Sequence, residues 1–400
     1  MLSEEYITNL IQPIIDRQES INMYIITKIA NRLRDVGTMR PSDLYKLQML
    51  FQSGADVREI NIELARQANL QVRDIKRIIK VAAQDMYIDA KPFYDYRHKS
   101  YIPFEKNESV QRIVSIIGEQ TEQSYRNLAD SRAIGYVTED PRSGRRIRFT
   151  SINNTYQDAI DKAVQAVQFG VVDPEVAIRN TIKNLVNSGL RRLYWESGRT
   201  QRLDTAVRRN VLQGVRTLNI ELEKELGKQF GADGIELSAH ANSAPDHEPF
   251  QGHIFTNEQF ENLQSGNDFV DVKGRHFSGV ERAIGMWNCY HFITAIVIGA
   301  KKPTYSDKRL QKFIDDNHNG ITLDGKHMTM YECKQMQRRL ETRIRYAKEG
   351  QMAMRTLGDK LQTTLARNRV KNLSNEYVNF SKRCGLSPQT NRTFVHNYHA

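Results

Sequence analysis

Apolar residues recur every three to four positions through most of the first 230 residues, and the pattern stops at Gly231-Ala232-Asp233-Gly234. A repeat near 3.6 residues marks a helix with one face buried in a core. The repeat is clearest from 199 to 230, where Leu203, Val207, Val211, Val215, Leu218 and Leu222 predict the buried stripe of one long helix. After the glycines the pattern changes to short β-branched and aromatic runs between turns, which predicts strands. The chain is therefore expected to be mainly α with a small α+β domain.

Four regions follow. Residues 1–100 are expected to form an N-terminal helical bundle. Tyr6, Leu10, Ile14 and Ile15, then Ile21, Tyr24, Ile25, Ile29 and Leu33, mark its first helical faces up to Gly37. Pro41-Ser42-Asp43 predicts a restart and Ser53-Gly54 a break, with further helices over about 56–68 and 71–86. Residues 91–104 carry Pro92, Phe93, Tyr94, Tyr96, Tyr101, Pro103 and Phe104, expected as an ordered aromatic connector.

Residues 101–230 are expected to be helical, with a β-hairpin near 134–150 and the long helix at 199–230. The hairpin prediction rests on two alternating runs around Asp140-Pro141-Arg142-Ser143-Gly144. Its loop and second strand carry Arg142, Arg145, Arg146 and Arg148, suited to solvent, an acidic protein surface or phosphate. Further helices are expected over 154–170 and 173–188; Asp173-Pro174-Glu175 supplies a cap, a first-turn proline and an acid at the positive dipole end.

Residues 231–300 form the expected α+β domain, with strands at Ile235-Glu236-Leu237-Ser238, His253-Ile254-Phe255 and over 292–298. Residues 301–400 are expected as a basic helical hairpin. Met336, Leu340, Ile344 and Ala347 lie on one face; Leu357, Leu361, Leu365, Leu373, Tyr377 and Phe380 lie on others. Gly350 or Gly358 would separate the two helices.

Charge divides along the same line. The net +11 lies wholly in residues 301–400, which hold 20 basic and 9 acidic residues, whereas residues 1–300 hold 38 of each. A uniformly basic nucleic-acid coat is excluded, and an anionic partner is expected at the C-terminal end. Arg338, Arg339, Arg343, Arg345, Arg367, Arg369 and Lys371 are the candidate contacts with nucleic acid or capsid. The three cysteines, Cys289, Cys333 and Cys384, are too few for a disulfide framework. The acidic start is not a secretory signal, and the longest apolar run, 292–300, is far below the ~20 residues a membrane span needs. The expectation is a protein made in a cytoplasm, without a membrane partner.

Five of the ten histidines and one cysteine lie in 231–300. His240 and His247 fall on a loop around Pro245, and Cys289 and His291 directly precede the last strand. Three readings stay open at this point. Two imidazoles, a thiolate and a third imidazole suit Zn²⁺, which prefers four nitrogen or sulfur ligands. Cys289 activated by His240 or His247, with Asn288 or Asp246 orienting the base, would suit nucleophilic catalysis. A polar core whose members satisfy one another needs neither.

The motifs here carry a resemblance. Leu237-Ser238-Ala239-His240, Pro245-Asp246-His247, Gln251-Gly252 and Gly285-Met286-Trp287-Asn288-Cys289-Tyr290-His291 resemble the phage minor capsid protein 2 family, minor head proteins of tailed phages and prophages. The run from Tyr331 to Arg345 resembles the family's Gln-rich entry into a basic helix, and Cys384-Gly385-Leu386 and Asn391-Arg392-Thr393 resemble its closing segments. Ala244, Phe250 and Tyr290 depart from it, standing where the family prefers Arg, Trp and Arg.

The resemblance implies a structural protein of the virion head near the portal vertex, acting in head assembly and DNA packaging and present in multiple copies. Portal protein, major capsid protein or other head proteins are the implied partners, and packaged double-stranded DNA is a further candidate. Synthesis would be in the bacterial host cytoplasm. The alternative is a virion-carried Cys/His hydrolase or metal-dependent toxin-like enzyme.

Overall fold

A computed structural model describes residues 4–38, 55–130, 132–140, 144–151, 154, 158, 161, 174–188, 190–193, 200–271, 273–286 and 289–399. The expected restart at Pro41, the break at Ser53-Gly54 and most of the expected helix over 154–170 lie outside them. The described chain is mainly α, with small antiparallel sheets. The helices are α1 (Glu4–Thr38), α2 (Ala55–Tyr96), α3 (Glu108–Asp130), α4 (Pro174–Ser188), α5 (Leu203–Phe230), α6 (Asn257–Ser265), α7 (Asp307–Asn319), α8 (Met330–Leu357) and α9 (Lys360–Arg383). Two compact units result. One gathers Met1–Pro13, Val72–Tyr125 and Arg208–Met336; the other gathers Ile14–Gln71, Arg126–Val207 and Gln337–Ala400.

The first unit is built on apolar stripes. On α2, Ile75, Ile78, Ile79, Ala82, Ala83 and Met86 are buried; on its part of α5, Val211, Val215, Leu218, Leu222 and Leu226 are fully enclosed. The two helices expected over 56–68 and 71–86 are one continuous helix, and the aromatic segment up to Tyr96 is its last part. Pro92 sits inside it. The remaining connector is pinned by its rings: Tyr101 packs against Tyr87 and Tyr94, with centroids 4.9 and 5.3 Å apart, and Phe93 stacks on Phe230 at 5.4 Å. Tyr94 Oη donates to Gln229 Oε1 at 2.7 Å, and Asn107 Nδ2 donates to the same oxygen at 2.9 Å.

The same unit holds a three-stranded antiparallel sheet of order β6-β5-β9, with β5 at Gly234–Leu237, β6 at Ile254–Thr256 and β9 at Ile293–Ile296. The sequence placed these strands to within one or two residues. One edge of β9 is occupied by side chains of α5. Asn219 reproduces a backbone partner: its Oδ1 accepts from Ile293 N at 2.8 Å and its Nδ2 donates to Ile293 O at 2.9 Å. Glu223, one turn later, accepts from Ala295 N at 2.9 Å. Short pairs β7 (Phe269–Val270) with β8 (His276–Phe277), and β10 (Ile321–Leu323) with β11 (Lys326–Met328), complete this unit.

In the second unit, β1 (Arg132–Asp140) and β2 (Gly144–Thr150) form the expected hairpin, in a sheet of order β2-β1-β3-β4 with β3 at Leu190–Leu193 and β4 at Thr200–Arg202. Residues 200–202, expected as the start of the long helix, are thus a strand. A buried ion network lies beside it. Arg202 bonds both Glu349 carboxylate oxygens at 2.8 and 3.2 Å and Asp204 at 3.2 Å, with its guanidinium 4.4 Å from the Tyr346 ring. Arg345 bonds Asp204 at 3.0 Å and also donates to Glu19. Burial pushes the Glu19 carboxyl up to about 7 despite the Arg345 charge.

Helices α8 and α9 are the expected C-terminal hairpin. The break falls at Gly358, whose φ of +80° suits glycine, and Asp359 caps α9 by accepting from Gln362 N. Leu340, Ile344, Ala347, Val370, Leu373 and Tyr377 form their shared core. Leu361 and Leu365, expected on an apolar face, are 67% and 51% exposed. Among the described residues no helix is long and apolar enough to cross a membrane.

Candidate functional site

The His/Cys residues sit where two loops meet at one end of the β6-β5-β9 sheet. Strand β5 runs on through Ser238, whose N–H donates to Phe292 O at 2.8 Å while its Oγ accepts from Phe292 N at 2.9 Å. That clasp brings the segment before β9 against the segment after β5. Cys289 and His291 are two apart, so an extended backbone sends both side chains to one side. His247 comes from a tight turn opened at Ala244-Pro245, in which the N–H groups of His247 and Glu248 both donate to Ala244 O at 3.0 Å. Glu248 anchors the turn to α7, accepting from Asn317 Nδ2 and pairing with His318, each at 2.7 Å.

Three of the four expected ligands converge. One donor atom each from His247, Cys289 and His291 lies within 4.8 Å of the other two, and the residues are only 1%, 2% and 3% exposed. Cys289 Sγ is 3.5 Å from His291 Nδ1 and accepts from His291 N at 3.4 Å. His291 Nε2 faces Ser243 Oγ at 3.4 Å, and His247 Nε2 donates to Arg282 O at 2.7 Å. His240 is close but differently employed. Its Nδ1 faces Ala241 O at 3.2 Å, and its ring packs on that of His291 with centroids 4.6 Å apart.

Charge states follow from these neighbours. Burial pushes the His247 imidazole down, but Cys289, the Arg282 carbonyl and Asp246 outweigh it and leave it above the ordinary histidine value. Burial pushes the Cys289 thiol up; His247 and nearby backbone N–H groups more than reverse this and hold it below the ordinary cysteine value. Burial, then the charges of His240, His247, Arg216 and Arg282, keep His291 far below its usual range, so it is neutral. A thiol held below its ordinary value beside a neutral imidazole is a donor pair that a soft or borderline cation can take.

The other motif residues support this frame. Gln251 Oε1 accepts from His240 N at 3.1 Å. Gly252 has φ +72°, and a Cβ there would lie 2.3 Å from Leu310 Cδ2. Pro245 opens the His247 turn. Trp287 and Asn288 lie outside the described residues. Two neighbours had no signal in the sequence. Arg282 is tied to Asp246 at 2.7 Å, and Arg216 of α5 places its guanidinium 5.1 Å from the Tyr290 ring, the position where the resembling family prefers Arg.

The C-terminal cations divide. Arg345 belongs to the buried network, and Arg338, half-buried, is occupied by Glu341 at 2.7 Å and Gln389 at 2.8 Å. Arg345 does not fit the expected outward contact, because burying a charge demands a partner. Arg343 is exposed and paired with Glu376 at 3.0 Å. Arg339, Arg367, Arg369 and Lys371 are exposed.

The family model for phage minor capsid protein 2 matches residues 2–380, and the chain belongs to that family. No curated protein and no solved structure was found to match it. Membership gives the chain a structural role in the phage particle.

Proposed function

We propose that the protein is a minor head protein that joins portal or capsid subunits near the portal vertex during head assembly and DNA packaging, in multiple copies per virion. The family match over 2–380 carries this reading. The helical units would dock on portal, major capsid or other head proteins. The DNA clause rests on charge: residues 337–400 hold 13 basic and 4 acidic residues, and Arg339, Arg367, Arg369 and Lys371 are exposed on α8 and α9. Each phosphate such a residue neutralises releases counterions, so binding weakens steeply with salt.

Mass spectrometry of purified heads tests the placement: the protein is expected in them, and its absence overturns the reading. For the DNA clause, the full chain is titrated with duplex DNA at several salt concentrations. Changing the four exposed cations to Ala is expected to reduce the log–log salt slope by about 0.9 for each phosphate left without its cation. An unchanged slope removes that clause. The nearness of the Cys289 thiol to His247 favours, as a second reading, a virion-carried Cys/His hydrolase or metal-dependent toxin-like enzyme. Hydrolytic activity in the native chain that disappears in Cys289→Ala would establish it.

A further inference from the structure

We infer that His247, Cys289 and His291 form a zinc site with three protein ligands, which fastens the loop after β5 to the segment before β9. The first observation is spacing. On a tetrahedron with Zn–S near 2.3 Å and Zn–N near 2.0–2.1 Å, sulfur and nitrogen stand about 3.5 Å apart. Cys289 Sγ and His291 Nδ1 are separated by 3.5 Å, and the third donor lies within 4.8 Å of both, so a small closing movement completes the set.

The second observation is tautomer. Metal-bound histidines characteristically donate their far ring N–H to an oxygen, which fixes the ring and directs the other lone pair at the metal. His247 has that arrangement, and the far nitrogen of His291 also faces an oxygen. His247 Nε2 donates to Arg282 O, which leaves the Nδ1 lone pair as the atom it offers. That Nδ1 is buried and, among the described residues, has no hydrogen bond of normal geometry. His291 Nε2 faces Ser243 Oγ, so its Nδ1 too is the atom on the cysteine side.

The third observation is chemistry. One cysteine sulfur and two imidazole nitrogens are borderline-soft donors that suit Zn²⁺ and exclude Mg²⁺ or Ca²⁺, which take oxygen. Zinc with three protein ligands completes its tetrahedron with solvent. His240 stacks on His291 and is not a ligand. This assignment goes beyond the capsid reading and is independent of it: heads lacking the protein would overturn that reading and leave this one intact.

The test uses the full chain, purified without chelator or affinity metal. Elemental analysis is expected to find about one zinc per chain, and His240→Ala is expected to keep it. Cobalt(II) exchanged into the unaltered chain should give a thiolate-to-metal charge-transfer band and the intense visible bands of a tetrahedral site. Both should vanish in Cys289→Ser, and the visible bands should weaken or vanish in His247→Ala. A chain that retains no zinc and gives no charge-transfer band with cobalt overturns the proposal. So does Cys289→Ser with unchanged metal content, or His240→Ala that loses the metal. The cobalt spectrum of the unaltered chain decides the matter even if the variants fold poorly.

Discussion

Replacing Glu223 by Gln should change how stability depends on pH more than it changes stability itself. Glu223 lies on α5 and is 3% exposed, accepting the Ala295 N–H at 2.9 Å. Burial pushes its carboxyl up to about 8 from 4.5, against the pull of that N–H. The native state therefore keeps a proton that the unfolded chain has released. Between pH 4.5 and 8 the unfolded state binds fewer protons, so stability falls as pH rises, by about 1.4 kcal/mol per unit. From pH 5 to pH 8 this amounts to roughly 4 kcal/mol. Glutamine keeps a carbonyl for Ala295 N–H, puts an amide where the protonated hydroxyl was, and cannot ionise. Glu223→Gln should match the parent near pH 5 and exceed it increasingly towards pH 8. For a chain of this length, roughly 4 kcal/mol corresponds to a Tm difference of about 5 °C. Glu19, pushed up to about 7, slopes both profiles in the same direction, so their difference isolates Glu223. Thermal unfolding followed by circular dichroism from pH 5 to 8.5 is the assay. Parallel profiles, or a variant less stable throughout, would refute the reasoning.

Two other substitutions probe the frame. Glu349→Ala removes the two-oxygen partner of the buried Arg202 guanidinium, leaving it Asp204, and should cost about 3–5 kcal/mol, while pairing it with Arg202→Met should recover much of that loss; denaturant titration checks this, and a double variant no better than the single one contradicts the account of the network. Gly252→Ala forces a side chain into left-handed backbone and against Leu310 and should cost about 1–3 kcal/mol, read as a lowered Tm; an unchanged Tm rejects it.

Much of the fold was legible in periodicity. Leu203 to Leu222 stand buried on one face of α5, as their spacing requires, and alternation marked β5, β6 and β9. Pro92 misled: proline and clustered aromatics imply an interruption, yet α2 continues to Tyr96 because packing of Phe93 and Tyr94 on Phe230 outweighs the local preference. At the site, residue type pointed to His247, Cys289 and His291. It also pointed to His240, whose Nδ1 faces Ala241 O and whose ring packs on His291, contacts with no periodic trace. Arg345 illustrates the same limit. Its sequence neighbours make it one cation of a basic helix, while Asp204 and Glu19, 141 and 326 positions away, make it internal.

The exposed rim of a small sheet ordinarily invites a strand from another molecule, and particles built from many identical chains offer such strands at high local concentration. Along β9 that route is closed within the chain: the Asn219 amide and the Glu223 carboxyl already take the hydrogen bonds an incoming strand would need at Ile293 and Ala295. Neighbouring molecules can therefore meet this part of the protein side chain to side chain, and cannot knit their backbones into a shared sheet there.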